Sequence, residues 1–366
     1  MSKLGKILVA MSGGIDSTVT ALLLHEQGYE VIGITMKTWD YSSSGVKSKK
    51  ETGCCSLDSL QDARKVAVDL GFHHFILDIR DEFGEAVIEN FVEEYLAGRT
   101  PNPCVMCNTH IKWNALLKRA DALDCEFIAT GHYARINNHQ NRYYISKAKD
   151  LNKDQSYVLW GLDQACLKRS MYPLSELIKP EVRQIAYDAG YTNLAKKAES
   201  YEICFVPEND YRDFLKHRKP ELQSEVENGL FINKHGEVIG HHSGYPFFTV
   251  GQRKGLGTAF GKPMFVTDIL PNKNQVVLGE ENDLQRSKMI VGKLNWQKWE
   301  KPNEEIDLVT KIRYRDVGHL SQIKNLNEEL EVNFFSNVNS VAPGQSAVIY
   351  DGDDIICGGI IMKSII

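Results

Sequence analysis

The stretch Ser12-Gly13-Gly14-Ile15-Asp16-Ser17 constrains the fold more than any other part of the chain. An apolar run, Lys6-Ile7-Leu8-Val9-Ala10-Met11, leads into it, and a segment with Val19, Leu22, Leu23 and Leu24 at helical spacing leads out. A strand, a small-residue loop and a helix start in that order leave several backbone N–H groups aimed at one spot. The helix N-terminus adds partial positive charge there, so an anion such as pyrophosphate is held. Gly13 and Gly14 let the backbone approach a ligand closely, and Ser12, Ser17 and Thr18 add hydroxyl donors. Asp16 is the odd member. A carboxylate beside a phosphate site is repulsive unless it caps the helix or binds a metal that bridges to the phosphates.

The rest of the N-terminal half extends this unit. Glu30 to Met36 reads as a second strand, Ser56 to Leu70 as a helix with Gly71 as C-cap, His73 to Ile79 as a strand and Glu82 to Ala97 as a helix. Ile111 to Leu123 reads as a further helix and Cys125 to Thr130 as a strand, while Tyr41 to Thr52 has no periodicity and reads as a surface loop. Alternation of this kind predicts a doubly wound, mostly parallel α/β sheet, with ligands beyond the carboxyl ends of its strands. The glycine loop, Met36 and Gly131-His132-Tyr133 are expected to meet there. Lys153 to about Ala198 reads as mainly helical, with Trp160, Leu162, Leu167 and Met171 as its apolar face. From Phe231 onward short strands and turn residues dominate, and Ile290 to the end alternates apolar and polar residues, which predicts a small β-barrel or sandwich. The expected plan is an α/β domain over 1–207, a small mixed connector over 208–282 and a C-terminal β-barrel over 283–366.

A chain of 366 residues is long enough for two or three domains, and 42% hydrophobic with 25% charged residues is ordinary for a globular protein. The formal charge of −5 excludes a protein that coats nucleic acid through overall charge, but not one with a local basic face. No apolar run approaches the roughly 20 residues of a membrane span, and the first is shorter than a signal-peptide core, so a cytosolic protein is expected. Eight cysteines in such a compartment read as thiols, metal ligands or catalytic groups before structural disulfides.

Thr100-Pro101-Asn102-Pro103-Cys104-Val105-Met106-Cys107-Asn108 is the second informative stretch. Its two prolines predict a stiff, extended loop that places both thiols ahead of the helix near Ile111. A thiol at a helix N-terminus has a lowered pKa, because the positive helix end favours the thiolate. Cys104 and Cys107 have the spacing of a redox or metal site, but no second such pair follows, so a closed zinc site is the weaker reading. A chelate of Cys104, Cys107 and one distant cysteine, as in an iron–sulfur enzyme, stays open as the less favoured alternative. Cys204, in partly polar surroundings at the expected domain junction, is the distant cysteine of choice. Cys125, Cys166 and Cys357 have apolar neighbours and read as buried and inert, whereas Cys54 and Cys55 are ambiguous.

Motifs along nearly the whole chain resemble those of the bacterial tRNA-specific 2-thiouridylases. They are Ser-Gly-Gly-Ile-Asp-Ser at 12–17, Asn-Pro-Cys-Val-Met-Cys-Asn at 102–108, Thr-Gly-His-Tyr at 130–133 and Lys-Asp-Gln-Ser-Tyr at 153–157. Ile-Cys-Phe at 203–205, Gly-Gln-Arg-Lys-Gly-Leu-Gly at 251–257 and Pro-Gly-Gln-Ser-Ala at 343–347 complete the set. The first resembles the pyrophosphatase loop of enzymes that cleave ATP between its α and β phosphates, and it lacks the Gly-Lys-Ser/Thr ending of a γ-phosphoryl-transfer loop. The resemblance implies an adenine nucleotide α-hydrolase-like fold and an activity in which ATP adenylates the C2 oxygen of the wobble uridine. A cysteine persulfide then supplies sulfur with loss of AMP.

By position, the resemblance implies that Cys204 carries the persulfide and Cys107 is the partner nucleophile, leaving a transient Cys107–Cys204 disulfide. It places ATP against Ala10, Met11, Ser12, Gly13, Gly14, Ile15, Asp16, Ser17, Met36 and Gly131, with Asp16 a candidate contact for Mg²⁺ and no dedicated metal-ligand set. Asn102, Pro103 and Cys104 border the target base in this reading. His132, Lys153, Asp154, Gln155, Arg313, Tyr314 and Gln345 are the implied tRNA contacts, and Lys311, Arg313 and Arg315 alternate as a solvated strand face also would. Many relatives carry Asp where Cys104 stands. A thiol replaces it in acid/base work only with a pKa near neutrality, and otherwise it shapes the loop. The implied partners are the anticodon loop of tRNA and a persulfide donor, either a cysteine desulfurase or a sulfur-relay protein, acting on a monomer.

Overall fold

The run before the glycine loop forms β1 (Lys6–Ala10), whose Ile7, Leu8 and Val9 have no exposed surface. A strand apolar on both faces must be covered on both, which requires a parallel sheet between helices. The computed structural model, which describes residues 4–39, 56–197, 203–206, 210–302 and 304–366, contains that sheet. β1 pairs with β2 (Glu30–Lys37) on one side and β4 (Phe127–Ala129) on the other. β3 (His74–Asp78) lies outside β2 and β7 (Ser170–Met171) outside β4, and all of these pairings are parallel. Strand order therefore reverses between β1 and β4, which makes the crevice at their carboxyl ends the binding position of a doubly wound sheet. α1 (Ile15–Glu26) covers the sheet through Val19, Leu22 and Leu24, and α2 (Leu57–Leu70) through Ala63 and Val66.

The chain divides into two compact units: 1–87, 104–209 and 353–355 in the first, and 88–103, 210–352 and 356–366 in the second. In the first unit three expectations need correction. The helix expected at 82–97 is α3 (Arg80–Phe83), a π-helical turn (Gly84–Ile88) and α4 (Glu89–Leu96), of which α4 lies in the second unit. The helix expected from Ile111 begins at Pro103: α5 (Pro103–Met106) runs through a π segment (Cys107–Lys112) into α6 (Trp113–Ala122). Pro103 at the first helical position starts this helix because its missing N–H and fixed φ cost nothing there. A hairpin unforeseen from sequence, β5 (Ala134–His139) and β6 (Arg142–Lys147), turns through Gln140 and Asn141, both at positive φ. Residues 153–197, expected to be mainly helical, comprise a 3₁₀ turn (Ser156–Leu159), α7 (Gln164–Lys168), β7, α8 (Lys179–Asp188) and α9 (Thr192–Lys196). Trp160, Leu162 and Leu167 are buried as expected.

The second unit carries α10 (Tyr211–Arg218), α11 (Leu222–Val226) and a small mixed sheet. Its strands are β8 (Gly229–Ile232), β9 (Val238–His242), β10 (Phe265–Leu270) and β11 (Gln275–Gly279), in the order β10-β11-β8-β9, with only β8–β11 parallel. The C-terminal part is the expected β-barrel. β12 (Gln285–Trp296), β13 (Ile306–Lys311), β14 (His319–Leu326), β15 (Glu329–Asn339), β16 (Ser346–Asp351) and β17 (Asp354–Ile365) follow the order β12-β15-β14-β13-β16-β17 and close through β12–β17. Leu330, Val332 and Phe334 alternate inward along β15, and closure removes the free edges that short strands otherwise expose. Among the described residues no helix is long and apolar enough to cross a membrane.

Within the small sheet His242 is 7% exposed and packed between the rings of Phe231 at 4.9 Å and Phe248 at 5.2 Å. Burial, reinforced by neighbouring His241, lowers its pKa from 6.5 to about 4. The unfolded chain takes up this proton first, so His242 favours the folded state fully above pH 6.5 and progressively less as pH falls toward about 4. In urea unfolding the midpoint of the wild type is expected to fall more steeply across that window than that of His242→Phe. Parallel curves would remove His242 as the source.

Candidate active site

The loop after β1 is built to expose amides. Met11 N–H bonds to the Ile34 carbonyl and Ser12 N–H to the Ser17 hydroxyl at 3.2 Å, and the ladder resumes at Thr18 N–H to the Gly14 carbonyl. Between them, no acceptor among the described residues meets the N–H groups of Gly13 through Ser17. These successive amides at the head of a buried helix form an anion cradle. Ser17 and Thr18 do not point hydroxyl donors outward as expected; both side chains are buried and donate to the Gly14 carbonyl. Gly13 is at φ +68°, and a Cβ there would lie 1.8 Å from the Ser59 carbonyl oxygen at the start of α2. Gly131, after β4, is also close to the loop: its Cβ would lie 2.8 Å from the Asp16 carbonyl carbon. The loop, Gly131 and the end of β2 with half-buried Met36 thus gather at the switch point as the pattern predicts.

Asp16 resolves its electrostatic conflict in a way the sequence did not suggest. The Lys179 ammonium donates to both of its carboxylate oxygens at 2.7 and 2.8 Å, and the Tyr133 hydroxyl donates to one of them at 2.8 Å. Lys179 is only 6% exposed, its amine lies 5.7 Å from the Tyr133 ring centre, and it opens α8. Its backbone N–H is fixed by the Asp150 carboxylate at 2.9 Å, while Glu181 accepts from Ile178 N–H in the first turn. Proline at the second helical position and Glu181 in the first turn are helix-start signals, but nothing local to Lys179 points to a partner 163 residues away.

Cys104 and Cys107 sit in helix rather than in an extended loop, and Cys204 sits in a turn. Cys107 is half-buried in the π segment, which is pinned by Asn108 donating to the Val158 carbonyl at 3.0 Å and which packs on α3. Cys204 is half-buried beside Phe205, whose ring is fully buried between Phe83 of α3 at 5.7 Å and Trp39 at 6.4 Å. Both thiol-bearing segments therefore rest on the same short helix. Cys104 is exposed, yet crowding by protein raises its pKa, chiefly by desolvation and then by Cys107, with Lys112 opposing. A shift away from neutrality leaves it a protonated thiol, which favours the loop-shaping reading over acid/base work. Cys125, Cys166 and Cys357 are buried as expected, with the Cys166 thiol pushed up to about 12 by burial. Cys54 and Cys55 lie outside the described residues. Among those described, no three His, Cys, Asp or Glu side chains converge to hold a metal.

The expected tRNA contacts fall into two groups. In the first unit, His132 lies 2.7 Å from the Thr130 hydroxyl and against Trp113 and Tyr172, and burial, followed by Lys112, holds its pKa well below the ordinary value. It is a neutral imidazole. Asp154 accepts from Ala148 N–H at 3.0 Å and the Ser156 hydroxyl at 2.7 Å, and Gln155 accepts from Tyr133 N–H at 3.0 Å. These two side chains shape the turn beside half-buried Lys153 and fix Tyr133 under Asp16. In the second unit, Gln345 donates to the Thr100 and Pro101 carbonyls at 3.1 and 2.9 Å and so sets the chain leading to Asn102 and Pro103. Arg313 and Tyr314 are exposed in the turn after β13, which Asp316 braces by accepting from Ile312 N–H at 2.9 Å.

Residues 5–208 match the family described as the tRNA methyl transferase HUP domain, 212–280 its PRC-barrel domain, and 286–361 the aminomethyltransferase beta-barrel domain. The chain is 59% identical to the tRNA-specific 2-thiouridylase MnmA of Amoebophilus asiaticus over 99% of its own length and 96% of the relative's. It is 58% identical to the protein of that name from Cytophaga hutchinsonii over 100% and 99%, and 52% identical to that from Salinibacter ruber over 98% and 94%.

Two outcomes are expected from this geometry. Lys179→Met, which strands the Asp16 carboxylate, should lower unfolding stability by roughly 2 kcal/mol, discounted because Asp16 is a third exposed. Adding Asp16→Asn should recover part of that loss in a double-mutant cycle, and additive losses would show that the pair is not coupled. Iodoacetamide labelling of the Cys104 peptide, followed by mass spectrometry, should still be accelerating above pH 9; a plateau near pH 7 would restore an acid/base role.

Proposed function

The chain belongs to the tRNA-specific 2-thiouridylase family, and we propose from that premise how it replaces the C2 oxygen of the wobble uridine of tRNA with sulfur. The loop amides of Gly13 through Ser17 hold the phosphates of ATP, with Ala10, Met11, Met36 and Gly131 around the nucleotide. Attack of the uridine C2 oxygen on the α-phosphorus releases pyrophosphate and leaves the oxygen as part of an AMP leaving group. Fixed N–H dipoles need no reorganisation as charge develops on the phosphates, which is the main catalytic service such a loop performs. Lys179 keeps Asp16 neutralised, so the carboxylate does not repel the nucleotide.

Cys204 then presents a persulfide. Its terminal sulfur attacks C2, AMP departs, and the Cys107 thiolate attacks the Cys204 sulfur. That step breaks the persulfide S–S bond, forms a Cys107–Cys204 disulfide and leaves the new sulfur on C2. An external thiol reductant returns the disulfide to two thiols. Asn102, Pro103 and Cys104 border the base; His132, Lys153, Arg313 and Tyr314 contact the RNA; Asp154, Gln155 and Gln345 position those contacts. The base must leave its stack to reach the crevice, as in other enzymes that modify a base. A cysteine desulfurase or relay protein supplies the sulfur, and the enzyme acts as a cytoplasmic monomer.

Mg²⁺ accompanies ATP in such chemistry and neutralises its phosphates. Asp16, whose oxygens take three hydrogen bonds from Lys179 and Tyr133, is a poor direct ligand, so no step is assigned to a protein-held metal. What supports this reading most is full-length likeness to the family together with two cysteine segments resting on α3, beside a sheet whose switch point carries the amide loop.

Mass spectrometry of tRNA nucleosides from cells lacking the gene tests it. Wobble 2-thiouridine derivatives should vanish, return with the wild-type gene and stay absent with Cys204→Ser or Cys107→Ser. Unchanged 2-thiouridine in the deletion strain would end the proposal.

A further inference from the structure

The loop Gly251-Gln252-Arg253-Lys254-Gly255-Leu256-Gly257 takes no part in the chemistry above, yet it is as deliberately built as the loop after β1. Gly251, Gly255 and Gly257 are at φ +89°, +70° and +76°. Its ends and middle are tied down: Gly251 N–H bonds to the Val266 carbonyl at 2.8 Å, Leu256 is buried, and Phe260 packs edge-on against Phe231 at 5.8 Å. Gln252 braces the interior, accepting from Thr249 N–H at 3.1 Å and donating to the Lys254 carbonyl at 3.0 Å. Between these anchors, none of the N–H groups of Arg253 through Gly257 meets an acceptor among the described residues.

Cations lie in and beside this loop. Arg253 and Lys254 are exposed and make no ion pair among the described residues. The Arg212 guanidinium of α10 is held by its Nε to the Phe247 carbonyl at 3.0 Å, which places its two outer nitrogens 3.5 and 3.6 Å from where a Cβ of Gly255 would be. Lys216, one turn on, lies 5.1 Å from the Phe247 ring centre. Successive uncommitted amides in a left-handed glycine turn that carries exposed Arg253 and Lys254 and has the Arg212 guanidinium beside it are suited to binding phosphate oxyanions. On a chain with net charge −5 such a concentration is local, not a consequence of composition.

We propose that the 251–257 loop, with Arg212 and Lys216, is a second phosphate site that grips a backbone phosphate of the tRNA. This rests on the tRNA-thiolating reading above and adds an anchor on the second unit for a macromolecular substrate. Contacts of this kind carry affinity and salt dependence without reading sequence.

The test compares the full-length wild type with Arg253→Ala/Lys254→Ala and with Arg253→Lys/Lys254→Arg. Affinity for an unmodified tRNA transcript is measured by anisotropy across a series of KCl concentrations, and inorganic phosphate and pyrophosphate binding by calorimetry. The alanine pair should bind tRNA about 10-fold more weakly at low salt, with a log–log salt slope shallower by about 1 to 2, while the charge-preserving pair keeps the wild-type slope. A slope unchanged in the alanine pair overturns the proposal. So does unchanged tRNA affinity with loss of phosphate or pyrophosphate binding, which would assign the site to a small phosphorylated ligand. Thiolation by the wild type is measured on the same transcript: its absence counts against the enzymatic reading, whereas thiolation with indistinguishable slopes counts only against this site.

Discussion

The ion pair between Asp16 and Lys179 is the constraint on which the first unit depends. A loop that gathers amides for an anion also holds a carboxylate, and the two requirements conflict unless a cation sits close by. Lys179 supplies it from α8, and burial makes the attraction stronger than an exposed pair provides. The cost of burying the ammonium is offset by three partners: both Asp16 oxygens and the Tyr133 ring. Those partners are themselves held, Tyr133 by Gln155 and the α8 start by Asp150, so the geometry of the loop is set by residues far along the chain.

That dependence explains what the sequence revealed and what it hid. The β1–loop–α1 unit was legible because strand period, glycine loop and helix period are all local. The parallel sheet and its switch point followed from alternation, and the barrel from period-two patterning in stretches such as 329–334. The start of the cysteine helix is not legible in the sequence, because prolines favour both stiff loops and first helical turns and only packing decides between them. The β5–β6 hairpin carries a weak local signal, because its turn, Gln140-Asn141, lacks glycine. Lys179 was hidden for a different reason: a buried cation and its carboxylate share no spacing. Asp154, Gln155 and Gln345 stood out as motif members, yet their side chains bond to protein backbone, so a motif marked the neighbourhood without giving each member's task.

The proposed reaction separates activation from sulfur delivery. Fixed dipoles at the head of α1 suit a step that develops charge on phosphate, and such dipoles work best rigid. In that reaction each thiol attacks or is attacked in turn, and both lie on segments that pack on α3, with Asn108 and Trp39 as further anchors. Cys104, just ahead of Cys107 on the same helix, has its pKa driven up by desolvation, which favours a loop-shaping part over acid/base work. The second unit carries the exposed turn of Arg313 and Tyr314 and the cationic 251–257 loop, both proposed above as RNA contacts.

Separation of the two centres is the central claim, and one measurement bears on it directly. Cys204→Ser is given ATP, tRNA and a persulfide donor, and both AMP-linked RNA and 2-thiouridine are quantified. The account predicts pyrophosphate release and accumulation of adenylated tRNA without 2-thiouridine. Loss of adenylation together with thiolation in the correctly folded variant would contradict it, because the thiol would then belong to the activating centre.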